Sequence, residues 1–181
     1  MTATISRERY ASGQPRRRLE SLKNVLNHYK VSTPSYDYSF FETAELNIIN
    51  IPSIFYGSSI KKGTVDLKFY ITGTLVGQLK DSKRNGELIQ VGPSGSYKSG
   101  SVAGIVLYNE GALILTGAWD LTSNETFTGP DSIDHGQFGP ALTQDYRHYG
   151  SGDSPSWVYF GTGMNDGYPS NWDATVGQYS D

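Results

Sequence analysis

A mainly β architecture, built as a sandwich or jelly-roll-like pair of antiparallel sheets, is what this sequence predicts, and three observations predict it. Val65, Leu67, Phe69 and Ile71 alternate with Thr64, Asp66, Lys68 and Tyr70, the period of two that marks a strand with one buried face. Between Asn50 and Leu121 apolar runs follow one another with turn signals between them. Twenty-one glycines, thirteen tyrosines and only 18% charged residues suit a β chain rich in turns, not a helical bundle. A length of 181 residues is enough for one main core.

The first segment, residues 1–44, reads as a basic helical arm followed by an extended aromatic linker. Pro15 suits the first turn of a helix, and Leu19, Leu22, Val25, Leu26 and Tyr29 then fall on one stripe. Thr33-Pro34 ends it. One stripe on so short a helix is not stable alone in water, so it must pack on the body or on a neighbouring chain. Tyr36, Tyr38, Phe40 and Phe41 space out the linker over 32–44.

Residues 45–121 form the predicted β core. Strands are expected at Leu46 to Ile51, Thr64 to Ile71, Thr74 to Lys80, Glu87 to Val91, Val102 to Tyr108 and Ala112 to Trp119. Thr72-Gly73 is a tight turn, Asp81 to Gly86 a longer polar one, and Asn109-Glu110-Gly111 a hairpin loop with glycine in the left-handed position. Ile105-Val106-Leu107 and Ala112 to Leu115 lack alternation and read as covered on both faces, by a second sheet or by another subunit.

Beyond this core, composition changes. Residues 120–181 hold nine glycines and five Ile, Leu or Val, yet ten aromatics. The segment 122–181 therefore reads as long aromatic loops around one short strand at Trp157 to Phe160. Its end, through Trp172 to Asp181, reads as cut through a continuing β region, which predicts a longer parent protein.

Charge is uneven along the chain. Residues 1–30 carry seven Lys/Arg against two acids, +5, and the remainder carries eight against sixteen, −8. Arg16, Arg17 and Arg18 sit where a helix N-terminus disfavours cations, which points to an anionic partner or to a solvated basic patch. Together with Leu19, Leu22 and Leu26 they are the expected partner-docking residues. Nucleic acid is disfavoured as that partner because the acidic body would repel a duplex.

No catalytic constellation, cofactor motif or metal spacing emerges. His28, His135 and His148 match no ligand pattern, Cys is absent, and no phosphate loop, nucleophile elbow or zinc-helix motif occurs. The expectation is a protein that is not an enzyme and uses no cofactor. The start of the chain lacks an apolar signal core and no run spans a membrane, which predicts a soluble chain made in the cytoplasm. Trp157, Tyr159 and Trp172 are the candidate ligand or interface aromatics: flat rings suit a sugar-binding platform, and they equally suit loop packing or a subunit interface.

The segments Ile51-Pro52-Ser53-Ile54-Phe55-Tyr56-Gly57-Ser58-Ser59-Ile60-Lys61-Lys62-Gly63 and Gly104-Ile105-Val106-Leu107-Tyr108-Asn109-Glu110-Gly111 together resemble virion structural proteins of marine tailed bacteriophages, the contractile-tailed kind that infect cyanobacteria. The resemblance covers about residues 45–121 and carries turn and strand motifs without catalytic residues. It implies a component of head, neck, tail or baseplate, assembled in the host cytoplasm, with other virion proteins and copies of itself as partners. A carbohydrate- or receptor-binding module of a phage fibre is the competing expectation.

Overall fold

Alternating burial, turn glycines and one amphipathic stripe combine into a single curled sheet with cover on both faces. The computed structural model describes residues 3–8, 13–71, 73–121 and 155–162. In chain order the elements are β1 (Thr4–Glu8), α1 (Arg17–Tyr29), a 3-10 turn at Pro34–Tyr36, α2 (Tyr38–Thr43), β2 (Leu46–Asn50), a 3-10 turn at Ser53–Phe55, β3 (Asp66–Ile71), β4 (Thr74–Lys80), β5 (Glu87–Gly92), β6 (Val102–Leu107), β7 (Ala112–Leu115) and a 3-10 turn at Trp157–Tyr159. The seven strands lie in the order β1-β2-β7-β6-β5-β4-β3, every neighbouring pair antiparallel.

The curl has a local cause. The β3–β4, β4–β5 and β5–β6 ladders each contain a register shift, whereas β1–β2, β2–β7 and β6–β7 run without one. An extra residue on one strand bends it and raises its twist, so three successive irregular ladders roll this half of the sheet into a half-barrel.

Period-two alternation then sorts the side chains into two cores. On the outer face Leu46, Ile48, Ile105, Leu107 and Ile114 meet Leu19 and Leu26 of α1, with Tyr36 and Phe41 beside them. On the inner face Ile49, Val106, Leu113 and Leu115 join Leu79, Leu88 and Phe69 around Trp157. That second face is the concave one, because residues 157–161 touch both sheet edges: Phe160 packs edge-on against Phe69 of β3, and Gly161 lies against Ile5 of β1. Phe69 is buried while Lys68 and Tyr70 are exposed, and Val65, Leu67 and Ile71 pack against the same cluster, as the alternation requires.

Four expectations change. Among the described residues there is one sheet, where a sandwich or jelly roll calls for two; the covering layer is helical on one face and an irregular segment on the other. The double burial of β6 and β7 is therefore supplied by the same chain, with no second sheet needed. The linker over 32–44 is not extended: Thr33 Oγ1 caps the 3-10 turn and Asp37 accepts a bond from Ser39 N–H at the start of α2. The strand expected at Trp157 to Phe160 is a 3-10 turn, in which Tyr159 N–H donates to Ser156 O and Phe160 N–H to Trp157 O. The helix packs on the body, one of the two outcomes expected for its stripe, since α1 contributes to the outer core; β1, which pairs along the whole of β2, was not expected.

Candidate interaction surface

Strand order forces a long crossing. β2 and β3 are consecutive in sequence but stand second and last in the sheet, so residues 51–65 must pass over the ends of β7, β6, β5 and β4. Each step of the crossing is pinned. Ile51 N–H donates to Gly111 O at 2.8 Å, Ile60 N–H to Tyr108 O at 2.8 Å, and Asp81 N–H to Val65 O at 3.3 Å. Tyr56 lies over Gly111, whose φ of +65° and absent Cβ are both needed: a Cβ there would stand 2.3 Å from the Tyr56 ring.

The deepest pin is a carboxylate. Asp81, 1% exposed, accepts from Gly63 N–H at 2.8 Å, Tyr108 Oη–H at 2.5 Å and Gly86 N–H at 3.3 Å. It thereby joins the crossing segment, the β4–β5 turn and the end of β6. Burial, and then the adjoining carboxylate, push the Tyr108 hydroxyl well above its ordinary pKa, so it stays protonated and donating. Tyr36 is raised likewise by burial, and its hydroxyl donates to Val106 O at 2.7 Å.

On this fixed base Ile54 is 85% exposed and Phe55 48% exposed. Lys61, Lys62 and Arg84 surround the same end of the sheet, exposed and without ion pairs among the described residues. Lys62 Nζ lies 5.4 Å from the Tyr108 ring centroid, a cation over an aromatic face. The two segments that carry the resemblance, 51–63 and 104–111, thus form one contiguous structure. It presents an apolar tip with a basic surround.

Next to it Glu87 binds Thr33 Oγ1 at 2.7 Å, Ser35 Oγ at 3.1 Å and Lys83 Nζ at 2.9 Å. Burial alone would raise its pKa, but the donations from Lys83, Thr33 and Ser35 outweigh burial and hold it at about 2, below the ordinary 4.5. A depressed carboxylate stabilises above its unfolded pKa, and that contribution disappears as pH falls from about 4.5 to about 2. Urea unfolding against pH should therefore show an acid-side loss of stability that Glu87→Gln flattens; an equal slope in both proteins would remove Glu87 from the account.

The expected docking residues are distributed differently. Arg16 is buried and donates to Phe41 O at 2.9 Å, Glu42 O at 3.2 Å and Glu8 O at 2.9 Å, so its cation is spent on carbonyls of its own chain. Leu19 and Leu26 are buried core residues, and the partly buried Leu22 packs beside them. Arg17 and Arg18 are exposed. Trp157 is wholly enclosed and cannot serve as an open platform; Tyr159 is half-buried with the Arg7 guanidinium 3.8 Å from its ring centroid. Trp172, His135 and His148 lie outside the described residues, as do 122–154 and 163–181, and His28 is exposed.

A groove of about 420 Å³ opens on the outer face beside α2, lined by Phe40, Phe41, Val102, Gly104 and Ile105 among others. Its carboxylate, Asp37, is held ionised at about 2 by Lys30 and Ser39, which makes it a poor proton donor near neutrality. Among the described residues no cluster of His, Asp and Glu could hold a metal ion, and no helix is long and apolar enough to cross a membrane. Sequence reasoning passed over Ile54, Phe55, Lys61, Lys62 and Arg84 as contact residues, although an Ile-Phe-Tyr run inside a Pro- and Gly-bounded turn signals large apolar groups with no strand to bury them. No family model, no curated protein and no solved structure matches this chain.

Proposed function

We propose that this chain is a structural component of a bacteriophage virion, in head, neck, tail or baseplate, that works by subunit docking through the crossover end of its sheet. The observation that carries the reading is the exposure of Ile54 and Phe55 on a segment fixed by hydrogen bonds at both flanks. Leaving two such side chains in water forgoes roughly 1.5–3 kcal/mol each, which a partner with an apolar pocket recovers. Lys61, Lys62 and Arg84 would orient an acidic partner and speed its approach. The resemblance of residues 51–63 and 104–111 to virion proteins supports the same end of the molecule as the contact. Partners on this reading are other virion proteins and further copies of the chain, in particles assembled in the host cytoplasm. The role is mechanical and calls on no reaction chemistry.

Quantitative mass spectrometry of purified particles tests it. Wild-type chain should be present at stoichiometric copy number, and the double substitution Ile54→Ser, Phe55→Ser should reduce incorporation at least tenfold while urea unfolding shows the variant still folded, since Ile54 is 85% exposed and Phe55 about half exposed. Absence of the wild-type chain from particles would reject the virion role. Normal incorporation of the double variant would reject this surface.

A further inference from the structure

Two unlike surfaces of this chain match each other. One is the crossover end, where Ile54 and Phe55 are exposed beside Lys61, Lys62 and Arg84. The other is the groove beside α2, which holds Phe40, Phe41, Val102 and Ile105, a single carboxylate in Asp37, and no Lys or Arg. Phe40 leaves 60% of its surface in water there. The volume of about 420 Å³ lies within the roughly 300–1,000 Å³ of pockets that enclose small ligands, so it takes an isoleucine and a phenylalanine side chain together.

Charge agrees with this apolar match. Lys61, Lys62 and Arg84 enter no ion pair among the described residues. On the groove side Asp37 is paired with Lys30 at 2.7 Å, but Glu42, which follows the lining residue Phe41, is exposed and in no ion pair among the described residues. A basic surround would therefore face an acidic one.

Position decides that the match is made between copies. The segment bearing Ile54 and Phe55 is pinned to Gly111 O and Tyr108 O, past one end of β6 and β7. The groove reaches Val102 and Thr116, at the other ends of the same two strands. β6 alone spans about 17 Å between those ends. A tip fixed past one end does not fill a groove whose lining runs to the other, whereas the tip of a neighbouring copy can enter it.

We propose that Ile54 and Phe55 of one copy seat in the groove beside α2 of the next, with Lys61, Lys62 and Arg84 facing Asp37 and Glu42, so that the chain assembles head to tail. The proposal rests on the docking role argued above and names its partner, a second copy of this chain. Contact between unlike surfaces leaves a free tip and a free groove at the ends of every open oligomer, so association continues until a ring closes or a helical stack grows. Attraction between the two charged surrounds speeds the encounter and weakens as salt rises.

Sedimentation velocity of the full chain over a concentration series tests it. Wild-type chain should pass from monomer to dimer and on to larger species. Ile54→Ser, Phe55→Ser should raise the Kd of self-association at least tenfold by removing the tip. Phe40→Lys, and independently Thr116→Arg, should do the same by closing the groove, with urea unfolding showing each variant still folded. An equal mixture of the tip variant and either groove variant should form a 1:1 heterodimer of wild-type affinity that grows no further, because the pair retains one intact tip and one intact groove. Wild-type chain that stays monomeric up to about 1 mM would overturn head-to-tail assembly. Self-association unaffected by both groove substitutions would overturn it as well, and would assign the contact to two tips. Failure of the folded variants to complement each other would reject the pairing of tip with groove. If self-association is absent while the tip variant still loses incorporation into particles, the docking role stands with a different virion protein as its partner. If the mixture complements as expected and particles take up the tip variant normally, the self-contact stands and the docking role in the virion falls.

Discussion

Trp157→Ala should cost about 3–5 kcal/mol of folding stability, the range for emptying a fully buried tryptophan site. The ring is 0% exposed and has its centroid 6.0 Å from that of Phe69 and 6.2 Å from that of Phe160. It is fitted to the sheet so closely that a Cβ on Gly77 would stand 2.5 Å from Trp157 Cζ2. Its Nε1–H donates to Gln90 Oε1 at 3.0 Å, an oxygen that also accepts from Trp119 Nε1–H at 2.9 Å. Gln90 itself is buried and held by bonds from its Nε2 to Ser96 Oγ at 3.2 Å and Tyr97 O at 2.7 Å. Trp157→Phe, which keeps most of the apolar volume and loses the bond, should cost distinctly less, about 1–2 kcal/mol. Urea unfolding of the three proteins measures both steps. A loss below 1 kcal/mol for the alanine variant would mean that the ring does not fill the concave face.

Asp81→Ala should be comparably damaging, about 3 kcal/mol or more, because it removes the acceptor shared by Tyr108 Oη–H, Gly63 N–H and Gly86 N–H and leaves those donors without a partner. The effect should also be directional in space. Amide exchange of Gly63 and Gly86 should accelerate more than that of β2 or β7, whose ladders do not depend on Asp81. Uniform acceleration throughout the sheet would show that the carboxylate does not specifically hold the crossing segment. Asp81→Asn, with one acceptor oxygen remaining, should fall between wild type and alanine.

Much of the sheet was legible in the residues. β3 to β7 announce themselves by alternation or by continuous apolar runs bounded by Gly73, Asp81 to Gly86 and Asn109 to Gly111, and the apolar stripe of α1 is plain. β1 was not legible, because Thr-Ile-Ser-Arg-Glu is short and charged and offers one aliphatic residue to any pattern. An edge strand of this kind owes its place to pairing with β2. Arg16 misled for a related reason: an arginine before a helix looks free when its acceptors are backbone carbonyls of Glu8, Phe41 and Glu42. Trp157 misled most, since its neighbours in sequence are poor in aliphatics while its neighbours in space, Phe69, Leu79 and Leu121, come from far earlier in the chain. Of the candidate surface, the motifs were visible at 51–63 and 104–111, but their adjacency depends on the crossing of the sheet.

That crossing sets a schedule for synthesis. The meander from β3 to β7 pairs each strand with the next as it emerges, so it can close locally and early. β2 cannot: its inner partner β7 ends at Leu115, 65 residues after Asn50. At a ribosomal rate of roughly 5–20 residues per second the apolar run of Leu46, Ile48 and Ile49 waits about 3–13 s for that partner. During this interval it is a short aggregation-prone strand on a nascent chain. Slower elongation between β2 and β7 would lengthen the hazard, and a factor that shelters residues 46–50 would relieve it.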